Sequence, residues 1–352
     1  MNIAKIDQNF EIKKVGGFDC DVYDASCDPF TVYGGFSEKE RKFEKMPLDF
    51  SRTISRGVFW GSGCCAGIRI TFTTNSRKIG LHAVIRDKCV HYRMTFIGSS
   101  CFALTEDIDG KNRFIGNFVG DKTDGVNVCD GELNLEGEKL RNYVLHLPLY
   151  SGVESLELKF EKGSIVKEYK KFANKKHILY YGSSITQGGC ASRADNSYQE
   201  LISEWIGCDY TILGFSGNAK AEDPMIEYLK NFDCDIFVCD YDYNAPNADY
   251  LAATHEKLYK SFRKNEKHKD IPVVFLSKPD GLNDVEAERR FEIIRQTYEN
   301  AKEKGENVYL IDGRTFYPED IYEHCSVDGC HPTDLGFYFM AKTICKVIKS
   351  CM

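Results

Sequence analysis

Two short segments far apart in the chain carry side chains able to do acyl-transfer chemistry. The first is Tyr181-Gly182-Ser183-Ser184-Ile185-Thr186-Gln187-Gly188. A Gly-Ser-Ser turn directly after an apolar run exposes a hydroxyl with little crowding, because glycine brings no Cβ. It is not a Gly-x-Ser-x-Gly elbow, since Thr186 stands where the second glycine would be. It also lacks the Gly-Lys-Ser/Thr ending of a phosphate-binding loop. The second segment is Asp328-Gly329-Cys330-His331-Pro332. An acid and a histidine three residues apart on a turn can meet, as they would on one face of a helix. Asp328 would then accept the Nδ1 proton of His331 and leave Nε2 free to take a proton from a serine. Either segment alone is more often an ordinary turn. Together they supply a nucleophile, Ser184, a base, His331, and an orienting acid, Asp328.

A metal is the competing use of the second segment, through His324, Cys325, Asp328, Cys330 and His331. Zinc sites usually show close paired cysteines, and the chain has no Cys-x-x-Cys. No metal and no organic cofactor is expected. Beyond the serine lie Arg193, which could bind a carboxylate or a sugar hydroxyl, and Asn196 or Ser197, which could simply cap a helix. Asp240 and Asp242 follow a later apolar run and could be pocket acids. Trp60 could stack on a sugar, although a core aromatic is the commoner use of such a residue.

The elements that must position these groups divide the chain in two. Up to about Phe160 the sequence reads as all-β, with short β-branched and aromatic runs at Gly67–Thr73, Ile79–Ile85, His91–Ile97, Tyr143–Leu147 and Ser155–Phe160, separated by Gly, Asn, Asp and Ser. A jelly-roll-like β-sandwich over residues 1–165 is expected, then a linker over 166–176. From His177 to the end at 352, apolar runs at His177–Tyr181, Tyr210–Gly214, Ile236–Asp240, Ile271–Leu276 and Val308–Ile311 alternate with helical patterns at Ser197–Ile206, Asp249–Lys264, Val285–Lys304 and Asp334–Lys349. That alternation means a parallel sheet covered by helices, a flavodoxin-like three-layer α/β/α domain. Ligands of such sheets bind at the carboxyl ends of the strands, where Ser184 falls.

In this setting the motifs are similar to those of the SGNH (GDSL-like) hydrolases. Gly182-Ser183-Ser184-Ile185 resembles their Gly-Asp-Ser-Leu/Ile block and Asp328-x-x-His331 their closing Asp-x-x-His block. Gly214-Phe215-Ser216-Gly217-Asn218 resembles the glycine block, and Asn244, in Asp240-Tyr241-Asp242-Tyr243-Asn244, the asparagine block. The resemblance spans about Lys176 to Lys349. More weakly, Ile54–Asn75 resembles the β-sandwich that precedes the hydrolase domain in some bacterial esterases. The resemblance implies a Ser184–His331–Asp328 triad and an oxyanion hole built from Ser184, Gly217 and Asn244. It implies a carboxylic ester hydrolase acting on short acyl groups, acetyl above all, on carbohydrates. An acyltransferase on the same triad, or an inactive carbohydrate-binding protein, are the alternatives. Two departures stand out: Ser183 replaces the aspartate before the nucleophile, and the asparagine block lacks its common Gly-x-Asn-Asp form.

Bulk properties narrow the partners. With 42% hydrophobic and 28% charged residues among 352, the chain has material for two globular cores. A net charge of −7 argues against nucleic acid, which requires clustered positive charge. No apolar stretch is long enough to span a membrane, and no lid-like segment suggests a lipase acting at interfaces. The partner implied is a small-molecule or oligosaccharide ester; a homo-oligomer is compatible with all of this. The amino terminus, MNIAKIDQNFEIKK, has no apolar run able to serve as a signal peptide. The fifteen scattered cysteines then read as reduced thiols in a cytoplasmic protein.

Overall fold

In a computed structural model, which describes residues 17–36, 43–173, 175–282 and 284–352, the first half is built on antiparallel strands. These are β1 (Cys20–Asp24), β2 (Thr31–Tyr33), β3 (Arg69–Thr74), β4 (Lys78–Arg86), β5 (Phe102–Ile108), β6 (Lys111–Phe118), β7 (Val128–Asn134), β8 (Arg141–His146), β9 (Gly152–Glu161) and β10 (Val166–Glu168). One sheet runs β1-β9-β4-β7; the other runs β10-β3-β8-β5-β6, with β2 also on β3. Residues 1–16 of the expected first domain lie outside the described residues. Alternation makes the core: Ile79, Leu81, Ala83 and Ile85 of β4 point inward toward Ile70, Phe72, Leu104 and Leu145 of the facing sheet. Phe30, Phe72 and Phe160 fill the centre with edge-to-face and stacked rings.

The segment expected as a strand at His91–Ile97 is a turn that leads into α3 (Phe96–Ser100). Its residues have strand propensity, but local hydrogen bonds decide otherwise. Thr95 Oγ1 accepts from Gly98 N at 3.0 Å and caps α3, while Ser100 and Ser151 hydroxyls each accept from Cys89 N at 3.0 Å. Two further short helices, α1 (Leu48–Ile54) and α2 (Arg56–Gly63), interrupt a stretch expected to be all-β.

The second half has five parallel strands, β11 (His177–Gly182), β12 (Asp209–Gly214), β13 (Ile236–Asp240), β14 (Val273–Leu276) and β15 (Val308–Ile311), in the order β12-β11-β13-β14-β15. Within each strand, neighbouring residues serve opposite faces. Ile178 and Tyr180 meet α4 (Tyr198–Ile206) and α8 (Asp334–Cys351) on one side. Leu179 and Tyr181 meet α5 (Asp223–Lys230), α6 (Ala248–Arg263) and α7 (Val285–Lys302) on the other. This is the doubly wound, three-layer arrangement. The chain leaves β11 toward β12 and then crosses to β13, so a crevice opens at the carboxyl ends of β11 and β13.

The halves are joined by shared packing. Met46 and Val58, from the first half, belong to the apolar cluster that also holds Phe215, Leu213 and Tyr241. Beside it lies Arg69, fully buried, whose guanidinium donates to Asp209 Oδ1 at 2.9 Å, to Tyr210 O at 2.7 Å and to Gly67 O at 3.0 Å. The same group lies 3.7 Å over the Tyr210 ring. Removing one partner of a buried ion pair strands the other. We therefore expect Arg69→Met to lower stability by about 3–5 kcal/mol, read from the urea midpoint; a midpoint equal to wild type would show that the pair carries no weight.

Candidate active site

Ser184 sits on the first turn after β11. Ser183 N donates to Asp240 O at 3.2 Å, Gln187 N to Ser183 O at 3.0 Å and Gly189 N to Ser184 O at 2.8 Å. The turn therefore curls like one helical winding and is pinned to the end of β13. Ser183 Oγ accepts from Ile185 N at 3.1 Å, the local capping that a short acceptor side chain provides. Gly182 is required by space: a Cβ there would collide with Thr186 Oγ1 and with the Asp240 carbonyl.

The loop that carries the other two groups is closed by its own backbone. Val327 N donates to His331 O at 2.8 Å and Thr333 N to Cys325 O at 2.9 Å. Asp328 Oδ1 accepts from His331 N at 2.8 Å and from Cys330 N at 3.2 Å. With the ring proton on Nδ1, His331 donates to Asp328 Oδ2 at 3.0 Å, and Ser184 Oγ donates to His331 Nε2 at 3.0 Å. Burial works to raise the pKa of Asp328. The His331 backbone and ring hydrogen bonds, with the charge of Arg93, outweigh it, so the carboxyl lies below the usual range and stays ionised. A serine, a histidine with a free Nε2 and an ionised carboxylate form one continuous hydrogen-bonded chain. Such a chain can deprotonate a hydroxyl and stabilise the imidazolium that results.

Gly217 lies on an exposed turn at φ +69°, after β12. Asn244 lies in the short turn after β13, where its Oδ1 accepts from Ala219 N at 3.1 Å. Gln187 fixes the Gly217 loop against the serine turn: its Oε1 accepts from Ser216 N at 3.0 Å and its Nε2 donates to Leu149 O at 3.1 Å. The buried Lys45 Nζ donates to Gly214 O at 2.7 Å, and desolvation lowers its pKa to about 8. Neither Gln187 nor Lys45 is signalled by spacing or motif.

The remaining sequence candidates have other duties. Arg193 donates from Nε and Nη2 to Asp195 and from Nη2 to Asn196 at 2.9–3.1 Å, and it stacks 4.1 Å over Phe114. Asp242 is buried; its Oδ2 accepts from Lys278 N at 3.1 Å and ties the asparagine turn to the end of β14. Burial raises its pKa to about 6. Sequence shows that a polar side chain follows a strand, not which neighbour it bonds. Trp60 is not in the sandwich core. It lies on α2, against the hydrolase-side cluster, 6.3 Å from the ring of Tyr150, whose hydroxyl donates to Ser184 O at 3.1 Å.

Asp328, Cys330 and His331 offer ligand atoms within 4.8 Å of one another. Both ring nitrogens of His331 are already engaged, however, and burial together with Asp328 pushes the Cys330 thiol up to about 11, away from the thiolate a metal takes. His324 and Cys325 are outside this group, Cys325 being turned to Ile321 O. All fifteen cysteines are unpaired. Among the described residues no helix is long and apolar enough to cross a membrane.

Residues 175–349 match the model of the GDSL-like lipase/acylhydrolase family, and residues 21–166 match the domain described as the N-terminus of SGNH-type esterases. The chain belongs to this family. No curated protein matches it significantly. Among solved structures, this esterase-family chain is similar to a protein from Bacteroides ovatus provisionally called a GDSL-like lipase, at 27% identity and a TM-score of 0.84 over 95% of this chain and 98% of the other. The salicylyl-acyltransferase SsfX3, from a tetracycline biosynthetic pathway, shares the fold at 15% identity and a TM-score of 0.76, over 94% and 97%. A family two carbohydrate esterase from Cellvibrio japonicus does so at 12% and 0.59, over 95% and 98%. One from Clostridium thermocellum, in complex with cellohexaose, does so at 13% and 0.56, over 81% and 92%.

Beneath the serine of this hydrolase lies a carboxyl group in unusual surroundings. Asp240 is buried, accepts from Thr186 Oγ1 at 2.9 Å and has Asp242 nearby; burial and then that second acid raise its pKa well above the ordinary value. An acid with a raised folded pKa favours the folded state fully below its unfolded pKa, and that contribution fades as pH climbs toward the folded value. Asp240→Asn removes the ionisation. We expect the variant's urea midpoint to gain on wild type as pH rises above about 4; a gap that does not change with pH would mean the folded carboxyl titrates as it does in the unfolded chain.

Proposed function

We propose that the chain is a serine esterase that removes short acyl groups, acetyl above all, from soluble carbohydrates. The observation that carries the reading is the continuous Ser184–His331–Asp328 chain, with both hydrogen bonds at 3.0 Å. Ser184 Oγ attacks the ester carbonyl while His331 Nε2 takes its proton, and Asp328 holds the imidazolium. The backbone amides of Ser184 and Gly217 and the Nδ2 of Asn244 receive the oxyanion. His331 then protonates the leaving alcohol, and water activated by the same histidine releases the acid and restores Ser184.

The carbohydrate part rests on the fold shared with the family two carbohydrate esterases, one of them bound to cellohexaose. The short acyl part rests on the resemblance to short-chain esterases of this family. A second reading has its own support: the acyltransferase shares more of the fold than the carbohydrate esterases do, by TM-score. The acyl-enzyme is common to both, and they differ in whether water or an alcohol accepts the acyl group. We place the protein in the cytoplasm, as its fifteen scattered, unpaired cysteines suggest.

Purified wild type should release acetate from p-nitrophenyl acetate and from acetylated xylo- or manno-oligosaccharides. Ser184→Ala should abolish turnover with an unchanged circular dichroism spectrum, and Asn244→Ala should lower kcat by about two to three powers of ten. Undiminished hydrolysis by Ser184→Ala would refute the mechanism. Acyl transfer to an added sugar, outpacing release to water, would decide for the transferase.

A further inference from the structure

The loop between β4 and α3, residues 87–95, belongs to the sandwich but does not stay with it. It leaves the sheet at Asp87, which has φ +52°, and is held rigidly at both ends. At one end Lys88 Nζ donates to the carbonyls of Asp121 and Val126 at 3.0 and 2.7 Å, and Ser99 and Ser100 hydroxyls donate to Cys89 O at 3.0 and 2.7 Å. At the other, Thr95 Oγ1 donates to Ser192 O at 2.8 Å, across the domain junction. Gly98 abuts the same partner loop so closely that a Cβ would strike the Ala191 carbonyl. Between these anchors Arg93 reaches the closing loop of the hydrolase half and donates from Nη1 to Asp328 Oδ2 at 2.8 Å. That oxygen is the one that accepts from His331 Nδ1 at 3.0 Å.

We infer that Arg93 is a positioning residue for the Ser184–His331–Asp328 chain, supplied by the sandwich domain. The inference rests on the esterase reading above. Asp328 already accepts two backbone amides through Oδ1. These fix one oxygen and leave the carboxylate able to turn about that axis. A guanidinium on Oδ2 removes that freedom and presents the oxygen to His331. Its charge also draws on the carboxylate that stabilises the imidazolium, which works against catalysis. With the Arg93 side chain 44% exposed, solvent screens the charge, so the geometric contribution dominates. The sandwich thereby takes part in catalysis without touching substrate.

Three measurements test this on the full chain, with p-nitrophenyl acetate turnover and the rate of Ser184 labelling by a fluorophosphonate as parallel readouts. Arg93→Ala should lower both kcat and the labelling rate about five- to tenfold, with KM within about twofold and thermal stability little changed. Arg93→Lys should recover part of the loss. In an Asp328→Asn background, Arg93→Ala should have no further effect, because the residue acts through that carboxylate. Wild-type rates in Arg93→Ala, or a loss that multiplies with that of Asp328→Asn, would overturn the inference and leave the esterase reading standing. A wild type that is neither active nor labelled would overturn both.

Discussion

The guanidinium of Arg69 is buried where the sandwich meets the edge strand of the parallel sheet, and every cross-domain contact at the site depends on that junction. A buried cation carries a large desolvation penalty, offset here by Asp209, by the carbonyls of Tyr210 and Gly67 and by the Tyr210 ring beneath it. Burial opposes its charge, yet the surrounding Tyr210, Asp209 and Glu200 more than compensate, and its pKa is raised rather than lowered. Asp209 is bound in turn by His177 at the start of β11, the strand beside it. The pair ties β3 of one domain to β11 and β12 of the other. With that register set, Tyr150 reaches the serine turn, Lys45 reaches Gly214 and Arg93 reaches Asp328.

What could be read from the sequence follows from how each element is stabilised. Four of the five parallel strands are buried almost throughout, and all five stand in the sequence as short apolar runs. In the sandwich, β3, β4, β8 and β9 are legible as apolar or alternating runs. The strands β6 (KNRFIGNF) and β7 (VCDGELN) are not, since their residues are mostly polar and hold their place by pairing with neighbours rather than by burial, and β5 (FALTEDI), though buried, has no expected counterpart. Helix α2 (RGVFWGSG) has three glycines and no amphipathic period. It forms because Ser55 caps it and its small residues fit against the hydrolase half.

The site shows the same division. Ser184, Asp328 and His331 stand in local motifs, and the structure joins them over 147 residues of sequence. Lys45 and Arg93 have no motif: each acts on a distant partner in the other half, 169 residues away for Lys45 and Gly214 and 235 for Arg93 and Asp328. Such contacts exist only after two domains have docked, and no local pattern encodes them. The Ser183 departure, conspicuous in the sequence, proves locally modest, for its hydroxyl still caps the Ile185 amide.

Met46 and Val58 lie in the same apolar cluster as Leu213, Phe215 and Tyr241. The two family matches meet between residues 166 and 175 and so outline two modules, but the hydrophobic interior does not respect that line. A fragment beginning near residue 175 would present part of its sheet-and-helix cluster to water, along with an Asp209 that has lost Arg69. Gene fusion or recombination at the linker would inherit half of a core. The unit that evolution or an engineer can exchange is the whole chain, with its sandwich acting as the missing wall of the enzyme rather than as an appended module.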